Sequence, residues 1–157
     1  MRAIALLALI ALPSAAHAEW HVINRTNESP PYYSVSQNSQ PPGLTLGFWC
    51  TEGSPPAVTL VSWTWSIDEK APLTVEIETQ RGTKTINFRP TTHIGTPWRP
   101  TRENEKELAY WLEQESDGGV TLRLPDKSGN PLTAVYPGAL GSFLKSLRGS
   151  CGARDGS

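Results

Sequence analysis

Cys50 and Cys151 stand 101 residues apart, and no third cysteine competes for either. If the chain folds in an oxidising compartment, two thiols can pair in only one way inside one molecule, so a Cys50–Cys151 disulfide is predicted. It ties the end of the chain back to its first half. Closing a loop of that length removes unfolded-chain entropy worth about 4.7 kcal/mol in the chain-entropy treatment. A redox-active role is disfavoured, because neither cysteine sits in a Cys-x-x-Cys. The pair reads as a structural staple.

The compartment follows from the first eighteen residues. Met1-Arg2 gives a basic start, Ala3 to Leu12 an apolar run, and Pro13-Ser14-Ala15-Ala16-His17-Ala18 a helix breaker followed by an Ala-x-Ala site. That order is the one a signal peptidase reads. The apolar run falls short of the roughly 20 residues that span a bilayer, so residues 1–18 are expected to be removed and no stable membrane insertion follows. No cysteine follows the cleavage site to carry a lipid. The mature chain would run from Glu19 to Ser157, one domain's length and enough to bury a core.

Charge excludes one class of partner. Without Arg2, 13 basic side chains face 15 acidic ones, so nothing in the balance favours nucleic acid. Fourteen prolines and thirteen glycines, set between short runs rich in Val, Thr, Ile, Leu and Trp, describe strands joined by turns. The expected fold is mainly β: an antiparallel β-sandwich with one short helix and a C-terminal helix, stapled by the disulfide. We divide it into an N-terminal strand and proline-rich arm (19–43), a sandwich domain (44–152) and a disordered tail (153–157).

Within the arm, 24–42 is polar and proline-rich, with Tyr32, Tyr33 and Val35 its only strand-like residues, and reads as loosely held. The pattern then sharpens. Leu44, Leu46, Phe48 and Cys50 recur with period two, and the Gly53-Ser54-Pro55-Pro56 turn leads into a strand over Val58–Trp65. Leu73, Val75 and Ile77 alternate against Thr74, Glu76 and Glu78. A turn at Gln80–Thr83 reverses that strand into Thr85–Arg89. Thr101 can cap a short helix whose Leu108, Trp111 and Leu112 share one face. Val120, Leu122 and Leu124 begin a second hairpin that returns through Leu132–Tyr136. Leu140, Phe143, Leu144 and Leu147 then line one face of a closing helix, and Cys151 lies one turn further on that same face.

Catalytic groups are scarce. The mature chain has two histidines, His21 and His93, with no metal-ligand spacing around either, and it has no Gly-x-Ser-x-Gly elbow. No metal and no cofactor are expected. Glu76 and Glu78 share a strand face at a spacing that could imitate glycosidase carboxylates, yet alternating carboxylates facing water account for them more simply. The charged cluster from Arg102 to Glu107 reads as a solvated helix face. Six tryptophans are harder to absorb in a core of this size, and tryptophan is enriched where proteins meet partners or sugars. Trp98-Arg99-Pro100-Thr101 is the segment singled out, an aromatic and a guanidinium on a proline-stiffened loop. Together with Trp65 and His93, Trp98 and Arg99 form the predicted binding surface.

The order of these features carries a resemblance. An apolar strand ending in cysteine (Leu44–Cys50), a strand with tryptophan (Val58–Trp65), a hairpin, Trp98-Arg99, the Val-x-Leu-Arg of Val120–Arg123, the short strand Thr133–Tyr136 and the closing run Leu140–Gly152 are each short motifs. In that sequence they resemble the VasI-type periplasmic proteins encoded with type VI secretion systems and, more loosely, the invasion-associated locus B proteins. The resemblance implies a secreted bacterial accessory protein with a β-sandwich core and no catalytic residues to carry over, only the Cys50–Cys151 pair. Pro55-Pro56 and the acidic helix from Thr101 to Glu115 depart from the pattern. The expected function is a non-enzymatic accessory or binding protein of the periplasm, or a secreted one, whose partner is an envelope protein. The alternative is a cell-wall glycan-binding protein, a hydrolase or a hydrolase inhibitor. Two sequons, at Asn24-Arg25-Thr26 and Asn27-Glu28-Ser29, are equally compatible with a eukaryotic secreted chain.

Overall fold

A computed structural model describes residues 19–92 and 98–152, with Arg102 and Glu103 described by their backbone alone. The predicted signal segment, His93 and the expected tail lie outside the described residues. Nine strands form one antiparallel sheet, β1 (His21–Arg25), β2 (Tyr32–Asn38), β3 (Leu44–Thr51), β4 (Ala57–Ser62), β5 (Leu73–Thr79), β6 (Gly82–Pro90), β7 (Trp98–Pro100), β8 (Val120–Pro125) and β9 (Pro131–Tyr136). Their order across the sheet is β1-β2-β3-β4-β7-β6-β5-β8-β9. Two helices, α1 (Arg102–Glu115) and α2 (Leu140–Cys151), complete the elements of the described residues.

The sheet curls until its two halves face each other. Gln40 in the β2–β3 turn and Val135 in β9 exchange both main-chain hydrogen bonds, at 2.8 and 3.0 Å. Beside them the Tyr136 hydroxyl donates to the Leu44 carbonyl at 3.1 Å. Alternation along each strand decides what faces inward. Leu44, Leu46, Phe48, Val58 and Leu60 line one half, and Val75, Ile77, Phe88, Leu122, Ala134 and Tyr136 the other, all essentially buried. This is the expected mainly β, sandwich-like architecture, with the helices packed on each other and on the first half of the sheet.

The disulfide is formed between Cys50 and Cys151, with Cα atoms 5.9 Å apart. It fastens the last turn of α2 to β3. In α2, Leu140, Leu144 and Leu147 are buried and Phe143 packs half-buried against the core, as the helical spacing predicts. Thr101 occupies the N-cap position of α1, but its side chain makes no capping bond.

The structure departs from two expectations. The stretch 24–42 is not a loosely held arm, because Tyr32–Asn38 pairs along its whole length with β3 while β1 pairs with its other side. Its inward residues are Tyr33, Val35 and Gln37, and Gln37 is only 1% exposed. Strand β4 stops at Ser62 rather than continuing to Trp65, since the chain bends as soon as the Trp63 amide bonds to the Gly43 carbonyl at 2.8 Å.

Candidate functional site

Where β4 ends, two tryptophans are fixed against the β2–β3 turn. Trp63 is 68% exposed, the most exposed large apolar side chain among the described residues. Its indole N–H donates to Thr45 Oγ1 at 2.9 Å, and that hydroxyl donates in turn to Asn38 Oδ1. The ring is therefore held over the outer surface of β3. Trp65 is half-buried and donates its own indole N–H to the Pro42 carbonyl at 3.1 Å. It lies so close over Gly43 that a Cβ there would overlap the ring, and Gly43 has φ +145° as well. Only glycine meets both conditions.

At the other end of β4 a second arrangement crosses the outer face of the sheet. Trp49 faces outward from β3, stacks on Tyr32 with centroids 6.1 Å apart, and has the Arg99 guanidinium 5.4 Å from its own centroid. Arg25 continues the row, 5.9 Å from the Tyr32 ring. Arg99 is clamped from below by Glu105, which accepts from Nε at 3.2 Å and from Nη2 at 2.9 Å on each carboxylate oxygen. The same Glu105 accepts the Val58 main-chain N–H at 2.9 Å. The reason is local. β7 pairs with β4 at one position only, Leu60 with Trp98, so the Val58 amide has no strand partner and the first turn of α1 supplies a carboxylate in its place.

Beside this clamp opens a cleft of about 590 Å³, lined by Arg89, Pro90, Thr91, Thr92, Arg99, Pro100 and Glu105. A second, polar cleft of about 410 Å³ lies between the helices and the β5–β6 turn. Two ion pairs cross it, Arg148–Glu113 at 2.8 Å and Arg81–Asp117 at 3.5 Å. No protein-family model, curated protein or solved structure matches the chain.

The four residues predicted to form a binding surface are not brought together as one. Trp98 is fully buried, which corrects its assignment as a contact residue: it points inward opposite Leu60, and its indole N–H donates to the Ala71 carbonyl at 3.3 Å. Arg99, one residue on, points outward by the same alternation and lines the cleft. Trp65 sits at the far end of β4, and His93 lies outside the described residues. Glu76 and Glu78 stand on the outer face, where both bind Arg123 of the neighbouring strand. Their hydrogen bonds, that of Glu78 above all, push the Arg123 guanidinium above its usual range.

Trp63, Arg89 and Glu105 were not singled out from the sequence. A signal for Trp63 existed in Trp63-Thr64-Trp65, where two alternate tryptophans on one strand cannot both be buried unless the strand continues. Glu105 had none, and the solvated helix face expected of it is corrected by its largely buried side chain and its bonds to Arg99 and Val58. Among the described residues there is no group of three or more His, Cys, Asp or Glu side chains able to hold a metal ion, and no helix long and apolar enough to cross a membrane.

Proposed function

We propose that this chain is a secreted or periplasmic binding protein, an accessory factor without catalytic activity, that docks on another component of the cell envelope through Trp63. The observation that carries the reading is that an indole 68% exposed to solvent is held in one orientation by Thr45 and Asn38. Holding a large aromatic still in water removes beforehand the side-chain entropy that binding would otherwise cost. The disulfide supports an oxidising compartment, and residues 1–18 supply the export signal that would deliver the chain there. The order of short motifs resembling the VasI-type proteins supports a place beside a type VI secretion system, and an envelope protein is then the partner.

A second reading has its own support. The free face of Trp63, bordered by the polar side chains of Thr45 and Asn38, also suits stacking on a sugar ring, as in cell-wall glycan binding.

A cross-linked pull-down from the envelope of the source cell, with Trp63→Ala run in parallel, tests both. A stoichiometric protein partner lost in Trp63→Ala supports the accessory role, and recovery of secretion-system subunits supports the finer placement. Retention on peptidoglycan that is lost in Trp63→Ala moves the assignment to glycan. Binding of either kind that survives Trp63→Ala overturns the site.

A further inference from the structure

Arg89 and Arg99 are direct cross-strand partners on β6 and β7. Their neighbours Phe88, Trp98 and Pro100 are buried, so both arginines project from the outer face. Two like charges placed opposite each other on a sheet repel. Glu105 neutralises Arg99 alone, through Nε and Nη2. Arg89 is exposed and makes no ion pair among the described residues. The segment His93–Pro97, which joins the two strands, contains no Asp or Glu that could serve it. Among the described residues, the cleft floored by this pair thus carries two guanidinium groups against one carboxylate, with Thr91 and Thr92 in its wall.

We infer that the Arg89–Arg99 cleft is an oxyanion site and that it takes a phosphoryl group. A fork of parallel N–H donors matches a phosphate oxygen pair, and two adjacent forks can meet several oxygens of one tetrahedral group. Glu105 holds Arg99 in place through one side of its fork, Trp49 supports its face, and Arg89 is the member with its donors unassigned. The bound anion cancels the repulsion that the unliganded sheet carries. The site lies at the opposite end of β4 from Trp63 and does not depend on the role proposed for that residue.

The test uses the mature protein, with inorganic phosphate as the probe. Thermal melts are compared in sodium phosphate and in sodium chloride at matched ionic strength, for the parent, Arg89→Gln and Arg89→Lys. Phosphate raises Tm generally through exclusion from protein surface, and Arg89→Gln measures that background. The expected result is a further, saturating rise in the parent, absent in Arg89→Gln and partly kept in Arg89→Lys. In an amide and guanidinium NMR titration, the same saturation is expected at Thr91, Thr92 and Arg99 Nε, with affinity about tenfold weaker in Arg89→Gln. Vesicles containing phosphatidic acid form a second arm. Saturation with inorganic phosphate assigns a free anion or small phosphate ester, and saturation only with the vesicles assigns a lipid headgroup. Equal phosphate responses in the parent and Arg89→Gln, with no saturable shift from either probe, overturn the site.

Discussion

Cys151 is joined to Cys50, and its own carbonyl accepts the Gly53 main-chain N–H at 2.6 Å, so the end of α2 is held to the β3–β4 turn by a main-chain bond as well as a covalent one. The bridge closes a seam that is already formed by packing, since Leu144 and Leu147 are buried beside it.

Replacing both cysteines with serine is therefore expected to leave the fold intact and lower its stability by about 2–5 kcal/mol. Urea denaturation of the parent, oxidised and reduced, beside the double variant measures this. Coincident curves for the oxidised parent and the variant would contradict a structural role for the bridge.

Glu105 serves two donors, Arg99 and the Val58 amide, whereas Arg99 serves one acceptor. Truncating Glu105 to alanine strands both donors and is expected to cost about 1–3 kcal/mol. Arg99→Ala should cost less, because Glu105 keeps its bond to Val58. A double-mutant cycle on the two residues checks the order, and equal single costs would disprove it.

Trp98, paired across from Leu60, and Trp63, just past the end of β4, make opposite predictions. Trp98→Ala empties a fully buried site and should cost about 3–5 kcal/mol. Trp63→Ala removes an exposed ring, and stability should stay within about 0.5 kcal/mol of the parent. Denaturation midpoints of the two variants give the comparison.

Burial pushes the Tyr136 hydroxyl far above its ordinary range. An unfolded tyrosine ionises near pH 10, so the stability this group contributes is whole below about pH 10 and is lost as pH rises from there towards the folded value. The loss should approach about 1.4 kcal/mol per pH unit. Tyr136→Phe should fall less steeply than the parent over the same alkaline range, and parallel profiles would refute the assignment.

Gly119 has φ +101°, and a Cβ on it would lie 2.6 Å from the Tyr136 carbonyl oxygen. Gly119→Ala is expected to destabilise by more than about 1 kcal/mol, in contrast to Gly129→Ala, where φ is also positive but the space is open. The difference between their melting temperatures isolates the contact from the backbone conformation.

The three hairpins β3–β4, β5–β6 and β8–β9 were legible because apolar inward residues recur along them with period two. β2 was not, since its inward set of Tyr33, Val35 and Gln37 is mixed and its prolines belong to the flanking turns. The site was harder still. Which of Trp98 and Arg99 faces outward depends on the register of a three-residue strand, and the exposure of Trp63 depends on where β4 bends. Neither is a property of local composition. The Arg89–Arg99 pair likewise depends on the register of the short β7 against β6, across the connection 91–97.

Trp20, the second described residue, packs against Tyr136 and Phe143, with ring centroids 6.3 and 6.5 Å away. The contacts that complete the core thus join the start of the described chain to residues more than a hundred positions later. A polypeptide built this way cannot consolidate as it emerges from a ribosome or a translocation channel. Its local hairpins can pair early, but the contacts that close the core wait until the last helix is free.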